Sequence, residues 1–169
     1  MDNNLTHICL YINGKKYSSF VSNGLTLLEF LREEIGFKGT KKGCDGGHCG
    51  ACTVLLEGNA INSCMILAVQ ADGKHITTIE GLSDGKKIHP IQGAFIEENA
   101  IQCGFCTPGM IMSAKGLLDK NPNPTDFEIR EALSGNLCRC TGYTKIVNAV
   151  KSAAIKLNKT NGDLTKEEE

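Results

Sequence analysis

The stretch Lys42-Gly43-Cys44-Asp45-Gly46-Gly47-His48-Cys49-Gly50-Ala51-Cys52 sets the organisation of the first half of this chain. Its three cysteines have the spacing C-x4-C-x2-C, and Cys64 follows after a gap of eleven residues. We call these four cysteines the first quartet. A compact group of two irons needs four thiolates, two on each iron. One loop can wrap such a group, and we expect Cys64 to close it from a neighbouring strand.

The glycines of this loop, Gly43, Gly46, Gly47 and Gly50, suit a metal cluster. Glycine tolerates positive φ and lets backbone N–H groups come close to sulfur. Hydrogen bonds of that kind stabilise a reduced cluster and raise its potential. The C-x4-C-x2-C…C spacing is that of plant-type [2Fe–2S] ferredoxins. A structural zinc site is the alternative, although zinc usually takes its thiolates as two short C-x2–4-C knuckles.

A second quartet of cysteines lies in the other half of the chain. Cys103-x2-Cys106 falls between the first and second of four predicted helices, and Cys138-x-Cys140 falls between the third and fourth. Two interhelical loops of a bundle can meet at one end, which would bring the four thiolates together. These residues alone leave an iron–sulfur cluster and a zinc ion both open. A thioredoxin-like redox motif is disfavoured because no βαβ pattern surrounds Cys103.

The chain before residue 82 is patterned as a small mixed sheet with one helix. Asn13-Gly14 predicts a type I′ hairpin, because both turn positions of that type require positive φ. Thr26-x-x-Glu29 is a capping box that should open a helix. We therefore predict strands over His7–Ile12, Lys15–Val21, Val54–Leu56, Ala60–Cys64 and Ile76–Ile79, and a helix over Leu27–Ile35.

The pattern becomes helical after a polar, glycine-containing segment at Gly81–Lys87. Prolines at 90 and 108 suit first helical turns, and Thr125-x-x-Glu128 is a second capping box. Four helices are predicted: one from Pro90, and three over Pro108–Leu118, Phe127–Leu133 and Lys145–Leu157. The predicted division is a domain over residues 1–82, a domain over residues 83–160 and a disordered tail over residues 161–169.

Composition is that of an ordinary globular protein. The 169 residues have a hydrophobic content of 41% and a formal net charge of −1. This balance does not favour nucleic acid as a partner, and no apolar run reaches the roughly 20 residues of a membrane-spanning helix. The first residues lack the basic start and apolar stretch of a secretory signal. We therefore expect a cytoplasmic location, where the nine cysteines would be reduced thiols rather than disulfides.

The residues around both quartets resemble one protein family. Residues 42–54 with Asn62-Ser63-Cys64 are similar to the first cluster motif of the molybdenum hydroxylases. The second motif is matched by Gln102-Cys103-Gly104-Phe105-Cys106-Thr107-Pro108-Gly109-Met110 and Gly135-Asn136-Leu137-Cys138-Arg139-Cys140-Thr141-Gly142-Tyr143. Over residues 5–157 the chain resembles the separate small iron–sulfur subunit of the xanthine dehydrogenase family. That family includes carbon monoxide dehydrogenase, nicotinate dehydrogenase and 4-hydroxybenzoyl-CoA reductase.

The resemblance implies an α+β architecture. A β-grasp ferredoxin domain of the plant type would be followed by a four-helix [2Fe–2S] domain. The resemblance also implies two [2Fe–2S] clusters and a molybdopterin close to Gln102 and Cys140. The implied cluster ligands are Cys44, Cys49, Cys52, Cys64, Cys103, Cys106, Cys138 and Cys140.

The implied partners are a large molybdopterin-binding subunit and an FAD-binding subunit. They would form a hetero-oligomer with this chain, for which a dimer of heterotrimers is one arrangement. The chain would relay single electrons between the two cofactors, with the second quartet toward molybdenum and the first toward flavin. None of its residues is expected to be catalytic, since we find neither a G-x-G-x-x-G loop nor a substrate pocket. A free ferredoxin-type carrier is the alternative, although it leaves the helical domain unexplained.

Overall fold

The computed structural model describes residues 4–83, 85 and 87–164. A five-stranded sheet lies in the first half of the chain, with the order β2-β1-β5-β3-β4. The strands are β1 (Leu5–Ile12), β2 (Lys15–Ser22), β3 (Thr53–Leu56), β4 (Asn59–Asn62) and β5 (His75–Thr77). β1 and β5 pair in parallel, whereas the other neighbouring strands pair antiparallel. The sheet is therefore mixed, as the sequence predicts.

Local sequence signals place the first turn and the first helix. Asn13 and Gly14 join β1 to β2 with φ values of 51° and 77°, as a type I′ turn requires. The Glu29 N–H donates to Thr26 Oγ1 at 3.1 Å, and the Thr26 N–H donates to Glu29 Oε2 at 3.2 Å. These reciprocal bonds open α1 (Leu27–Glu29) and satisfy N–H groups that a helix start leaves unpaired.

The helix of this half packs against the sheet. The chain continues from α1 as a π-type turn over Phe30–Glu34, where the sequence predicts a regular α-helix through Ile35. The side chains between helix and sheet are almost wholly excluded from water, so their burial holds the two layers together. They are Ile8, Leu10, Ile12, Leu27, Phe30, Leu31, Val54 and Ile76.

The second half of the described chain holds four helices. They are α2 (Pro90–Glu97), α3 (Thr107–Leu118), α4 (Asp126–Ala132) and α5 (Thr144–Leu164). Their buried faces form a second core around Phe95, Met110, Ile129, Ile146 and Val150. The predicted α+β class, with a ferredoxin-like sheet domain before a helical one, is confirmed. No helix among the described residues is long and apolar enough to cross a bilayer.

The expectation that Cys64 lies on a strand is wrong. β4 ends at Asn62, and Cys64 lies in a 3₁₀ turn over Ser63–Met65. The N–H and the hydroxyl of Ser63 both donate to Cys52 O, at 3.3 and 2.8 Å, and the backbone bond continues the β3–β4 register by one residue beyond Asn62. The chain leaves the sheet after this last bond, and the 3₁₀ turn places Cys64 beside Cys52.

The last helix is longer than the sequence predicts. α5 runs to Leu164 instead of ending at Leu157. Asn158 anchors this last part, since its Nδ2 donates to Pro122 O at 3.0 Å and to Asn123 Oδ1 at 2.7 Å. The polar sequence around Asn158 contains no signal that predicts these tertiary hydrogen bonds. The rest of the expected tail, residues 165–169, lies outside the described residues.

An imidazole caps α2. The Ile91 N–H donates to His89 Nδ1 at 3.2 Å, and the His89 N–H donates to Gln92 Oε1 at 3.1 Å. Nδ1 can accept that bond only while it carries no proton. Burial and, next, the positive charge of Lys115 hold the pKa of His89 below its ordinary value, whereas Asp119 acts in the opposite direction.

Replacing His89 by asparagine should remove a pH-dependent part of the stability. Asparagine is a strong cap that does not titrate, whereas below about pH 6.5 the unfolded chain protonates His89 more readily than the folded chain does. The stability due to His89 is therefore present above that pH and is lost as pH falls through the lower folded value. As pH falls from about 7.5 to 5.5, the thermal midpoint of the native protein should decrease more than that of His89→Asn. Parallel midpoints would contradict this role of His89.

Candidate metal centres

The sulfurs of the first quartet lie in two pairs. Cys52 Sγ and Cys64 Sγ are 3.4 Å apart, and both residues are buried. Cys44 is exposed, and its thiol interacts with the side chain of Cys49. The quartet therefore has an inner pair facing the core and an outer pair near the surface.

Backbone donors favour the thiolate form of the outermost sulfur. Cys44 Sγ accepts from the N–H groups of Gly46, at 3.5 Å, and of His48, at 3.3 Å. The Gly46 bond is the largest of the contributions that lower the pKa of Cys44 to about 6. Burial has the opposite effect on Cys52 and raises the pKa of that thiol to about 11. Metal coordination overcomes such a penalty, because a metal ion deprotonates a coordinating thiol outright.

The second quartet is also arranged in two pairs. Cys103 Sγ and Cys140 Sγ are 3.7 Å apart, and both residues are exposed. Cys106 and Cys138 are half-buried, and their thiols interact with each other. Burial, followed by the hydrogen bond with Cys138, raises the pKa of Cys106 to about 12. Here the exposed pair points outward from the end of the bundle.

Thr141 and Tyr143 organise the loop that carries Cys138. The N–H and the hydroxyl of Thr141 donate to Cys138 Sγ at 3.4 and 3.1 Å, and the Cys138 N–H donates to the Tyr143 hydroxyl at 2.9 Å. Burial opposes ionisation of Cys138, but the Thr141 bonds keep the pKa of this thiol below its ordinary value. Gln102 lies at the same end, where its Nε2 donates to Cys140 O at 3.1 Å.

This donor set suits a two-iron cluster at each position. A [2Fe–2S] cluster takes two thiolates on each iron, and each quartet presents its sulfurs two by two. A single tetrahedral ion would instead draw all four sulfurs to one centre. The pairs are Cys44 with Cys49, Cys52 with Cys64, Cys103 with Cys140, and Cys106 with Cys138.

The two quartets meet across one interface. The Leu137 N–H donates to Cys49 O at 2.9 Å, which joins the residue before Cys138 to a cysteine of the first quartet. A Cβ built on Gly50, whose φ is 65°, would lie 2.4 Å from Gly135 O. Only glycine allows the two loops to approach this closely. The sequence predicts each quartet separately but contains no signal for this contact.

Comparison with known families identifies both halves of the chain. The family profile described as a 2Fe-2S iron-sulfur cluster binding domain matches residues 10–77. The profile described as a [2Fe-2S] binding domain matches residues 78–151. Fold and sites thus define a two-domain protein that carries two [2Fe–2S] clusters, as the sequence predicts.

Several curated proteins and solved structures are similar over nearly the whole chain. The nicotinate dehydrogenase small FeS subunit of Eubacterium barkeri is 51% identical over 146 residues, which are 86% of this chain and 93% of that one. The nicotine 6-hydroxylase small subunit of Paenarthrobacter nicotinovorans is 50% identical over 151 residues, or 89% and 91% of the two chains. A chain of quinoline 2-oxidoreductase from Pseudomonas putida 86 superposes with a TM-score of 0.88 at 45% identity, covering 93% of this chain and 98% of that chain.

The chain belongs to the small iron–sulfur subunits of the molybdenum hydroxylase family. This confirms the resemblance that the two cluster motifs indicate. Its function is electron transfer within an oxidoreductase complex, and the free-carrier alternative is not favoured.

Proposed function

We propose that this chain relays single electrons between a molybdopterin centre and an FAD that are held by partner subunits of a molybdenum-dependent oxidoreductase. The observation that carries the proposal is the direct contact between the two quartets, through the Leu137 N–H and Cys49 O at 2.9 Å. A relay needs its two electron carriers to be close, and a hydrogen bond links the polypeptide around one cluster to that around the other.

The residues proposed to hold the clusters are the eight paired cysteines. A bound [2Fe–2S] cluster supplies a site that takes up and gives back one electron at a time. The chain holds each cluster in place and places donors against its sulfurs, as Gly46 and His48 do at Cys44. Such donors and the local burial set the potential of a cluster. No residue of this chain is proposed to contact substrate.

We propose that the second quartet faces the molybdopterin subunit, with Gln102 and Cys140 at the pterin. The exposed pair Cys103 and Cys140 supports this orientation, because it presents sulfur at the surface of the free chain. Two apolar side chains next to second-quartet cysteines in the sequence are also exposed, Phe105 to 48% and Leu137 to 55%. Exposed apolar surface beside a functional site is typical of an interface that a partner covers.

The remaining proposals concern organisation. We propose a domain boundary near residue 82, supported by family matches that meet at residues 77 and 78. We also propose a cytoplasmic complex with a large molybdopterin-binding subunit and an FAD-binding subunit, with a dimer of heterotrimers as the expected assembly. The subunit names of the relatives, which include a small FeS subunit and a small subunit, support a hetero-oligomer.

Metal analysis of the native assembly tests this function. Purified from its own host, the chain should contain about four irons and four labile sulfides and should co-purify with molybdenum and flavin. Zinc in place of iron would overturn the cluster assignment. A monomer with full iron but neither molybdenum nor flavin would instead support a free carrier and contradict the proposed relay.

A further inference from the structure

We propose that Asn136 is the positioning residue that sets the separation and orientation of the two clusters. The inference rests on the proposed function, because it concerns the geometry between the two quartets. Asn136 binds no metal in this assignment and lies two residues before Cys138. Its amide reaches across the interface to the loop of the first quartet, from which it is separated by more than eighty residues of sequence.

The Asn136 side chain forms hydrogen bonds both across the interface and within the helical half. Its Nδ2 donates to Gly50 O at 2.9 Å and to Thr53 Oγ1 at 3.2 Å, and its Oδ1 accepts from the Ser113 hydroxyl at 2.7 Å. One amide thereby links three segments: the loop before Cys138, helix α3, and the end of the first-quartet loop. Each segment either carries a cysteine of a quartet or lies within a few residues of one.

Burial makes these bonds decisive. Asn136 is 4% exposed, and Ser113 and Thr53 are each 5% exposed. A buried amide without hydrogen-bond partners is strongly disfavoured, so the Asn136 side chain is held in the one arrangement that satisfies its polar atoms. The hydroxyl of Thr53 donates in turn to Gly50 O at 2.7 Å, which completes the network. A satisfied buried network rigidifies the groups that it joins.

The bonded atoms sit beside cluster ligands on both sides. Gly50 lies between Cys49 and Cys52 in the first loop. The residue after Asn136 is Leu137, whose N–H donates to Cys49 O. A shift of the Asn136 amide would therefore move Cys49 relative to Cys138, and with them the two clusters.

Spin–spin coupling between the two reduced clusters tests this role. Each reduced [2Fe–2S] cluster is paramagnetic, and the dipolar splitting between two such centres depends steeply on their distance and orientation. In the cluster-loaded full chain within its native assembly, Asn136→Ala should change or abolish this splitting while iron and sulfide stay complete. Unchanged splitting in Asn136→Ala would overturn the proposal.

Two further variants complete the experiment. Asn121→Ala is the matched control, since Asn121 Nδ2 donates to Glu128 Oε1 at 3.1 Å within the helical half; its splitting should equal that of the native protein. Ser113→Ala removes only the donor to Asn136 Oδ1 and should give a smaller change of the same kind. If Asn136→Ala fails to retain both clusters, Ser113→Ala decides: a changed splitting supports the role, and a native splitting overturns it. A native protein without iron would refute the proposed function itself. That outcome is distinguishable from a failure of the role proposed for Asn136, in which iron is present and the splitting is unchanged.

Discussion

Cys103→Ser should retain the first cluster and lose the second. The sulfurs of Cys103 and Cys140 are 3.7 Å apart, so we assign both to the same cluster. A serine hydroxyl is a far poorer ligand than the thiolate that iron–sulfur clusters require. The expected result is a fall from about four to about two irons and sulfides per chain. The electron paramagnetic resonance signal of one reduced cluster should vanish while the other remains.

Two further cysteine variants make this result specific. Cys44→Ser should remove the other cluster and leave the signal that Cys103→Ser abolishes. Cys9→Ser is the matched control, because Cys9 lies on β1 outside both quartets; it should keep all of the iron. The assignment of the second quartet would be wrong if Cys103→Ser retained both clusters, or if Cys9→Ser lost one.

Gly109→Ala should destabilise the chain, although alanine is the better helix former. Gly109 lies in the first turn of α3, where a Cβ would be 2.3 Å from Gly50 O and 3.2 Å from Ala51 Cα. Both are backbone atoms of the first-quartet loop, so relief requires the two halves of the molecule to move apart. Overpacking typically costs about 1–3 kcal/mol, against a gain of about 1 kcal/mol in helix propensity. The net loss should therefore reach up to about 2 kcal/mol, which would lower the thermal midpoint by up to roughly 4–8 °C.

A second helical glycine provides the matched control. Gly93 lies inside α2, and a Cβ there would find Glu97 Oε1 as its nearest neighbour at 4.0 Å. Gly93→Ala should therefore raise stability, by up to about 1 kcal/mol. Hydrogen exchange of the Leu137 amide, which donates to Cys49 O, should accelerate in Gly109→Ala alone. Equal shifts of the midpoint in both variants would show that the interface has no part in the effect.

The fold was predictable where short sequence signals act. The Asn13-Gly14 turn and the Thr26–Glu29 capping box each depend on neighbouring residues, and both form as predicted. The extents of elements were less predictable. Cys64 lies in a 3₁₀ turn beyond the end of β4, and α5 continues past its expected end at Leu157, with Asn158 bonded to Pro122 O.

The candidate site divides in the same way. Spacing alone predicts two groups of four cysteines, and the flanking motifs predict their family. Spacing does not say which cysteines of the second quartet become neighbours in space. Cys103 and Cys106 are close in sequence, which would suggest that they form a pair. In the structure Cys103 instead pairs with Cys140, and Cys106 with Cys138. That choice depends on how two interhelical loops meet.

The sequence by itself determined that this is a two-domain iron–sulfur protein of the molybdenum hydroxylase family, because ligand type, ligand spacing and the glycines among them are properties of short segments. Only the tertiary structure decided how the two metal centres face each other. The Asn136 amide and Thr53, eighty-three residues apart in the chain, meet 3.2 Å from each other in a buried interface. Such contacts form when two separately patterned domains pack, and their geometry comes from the whole packed surface rather than from any one motif.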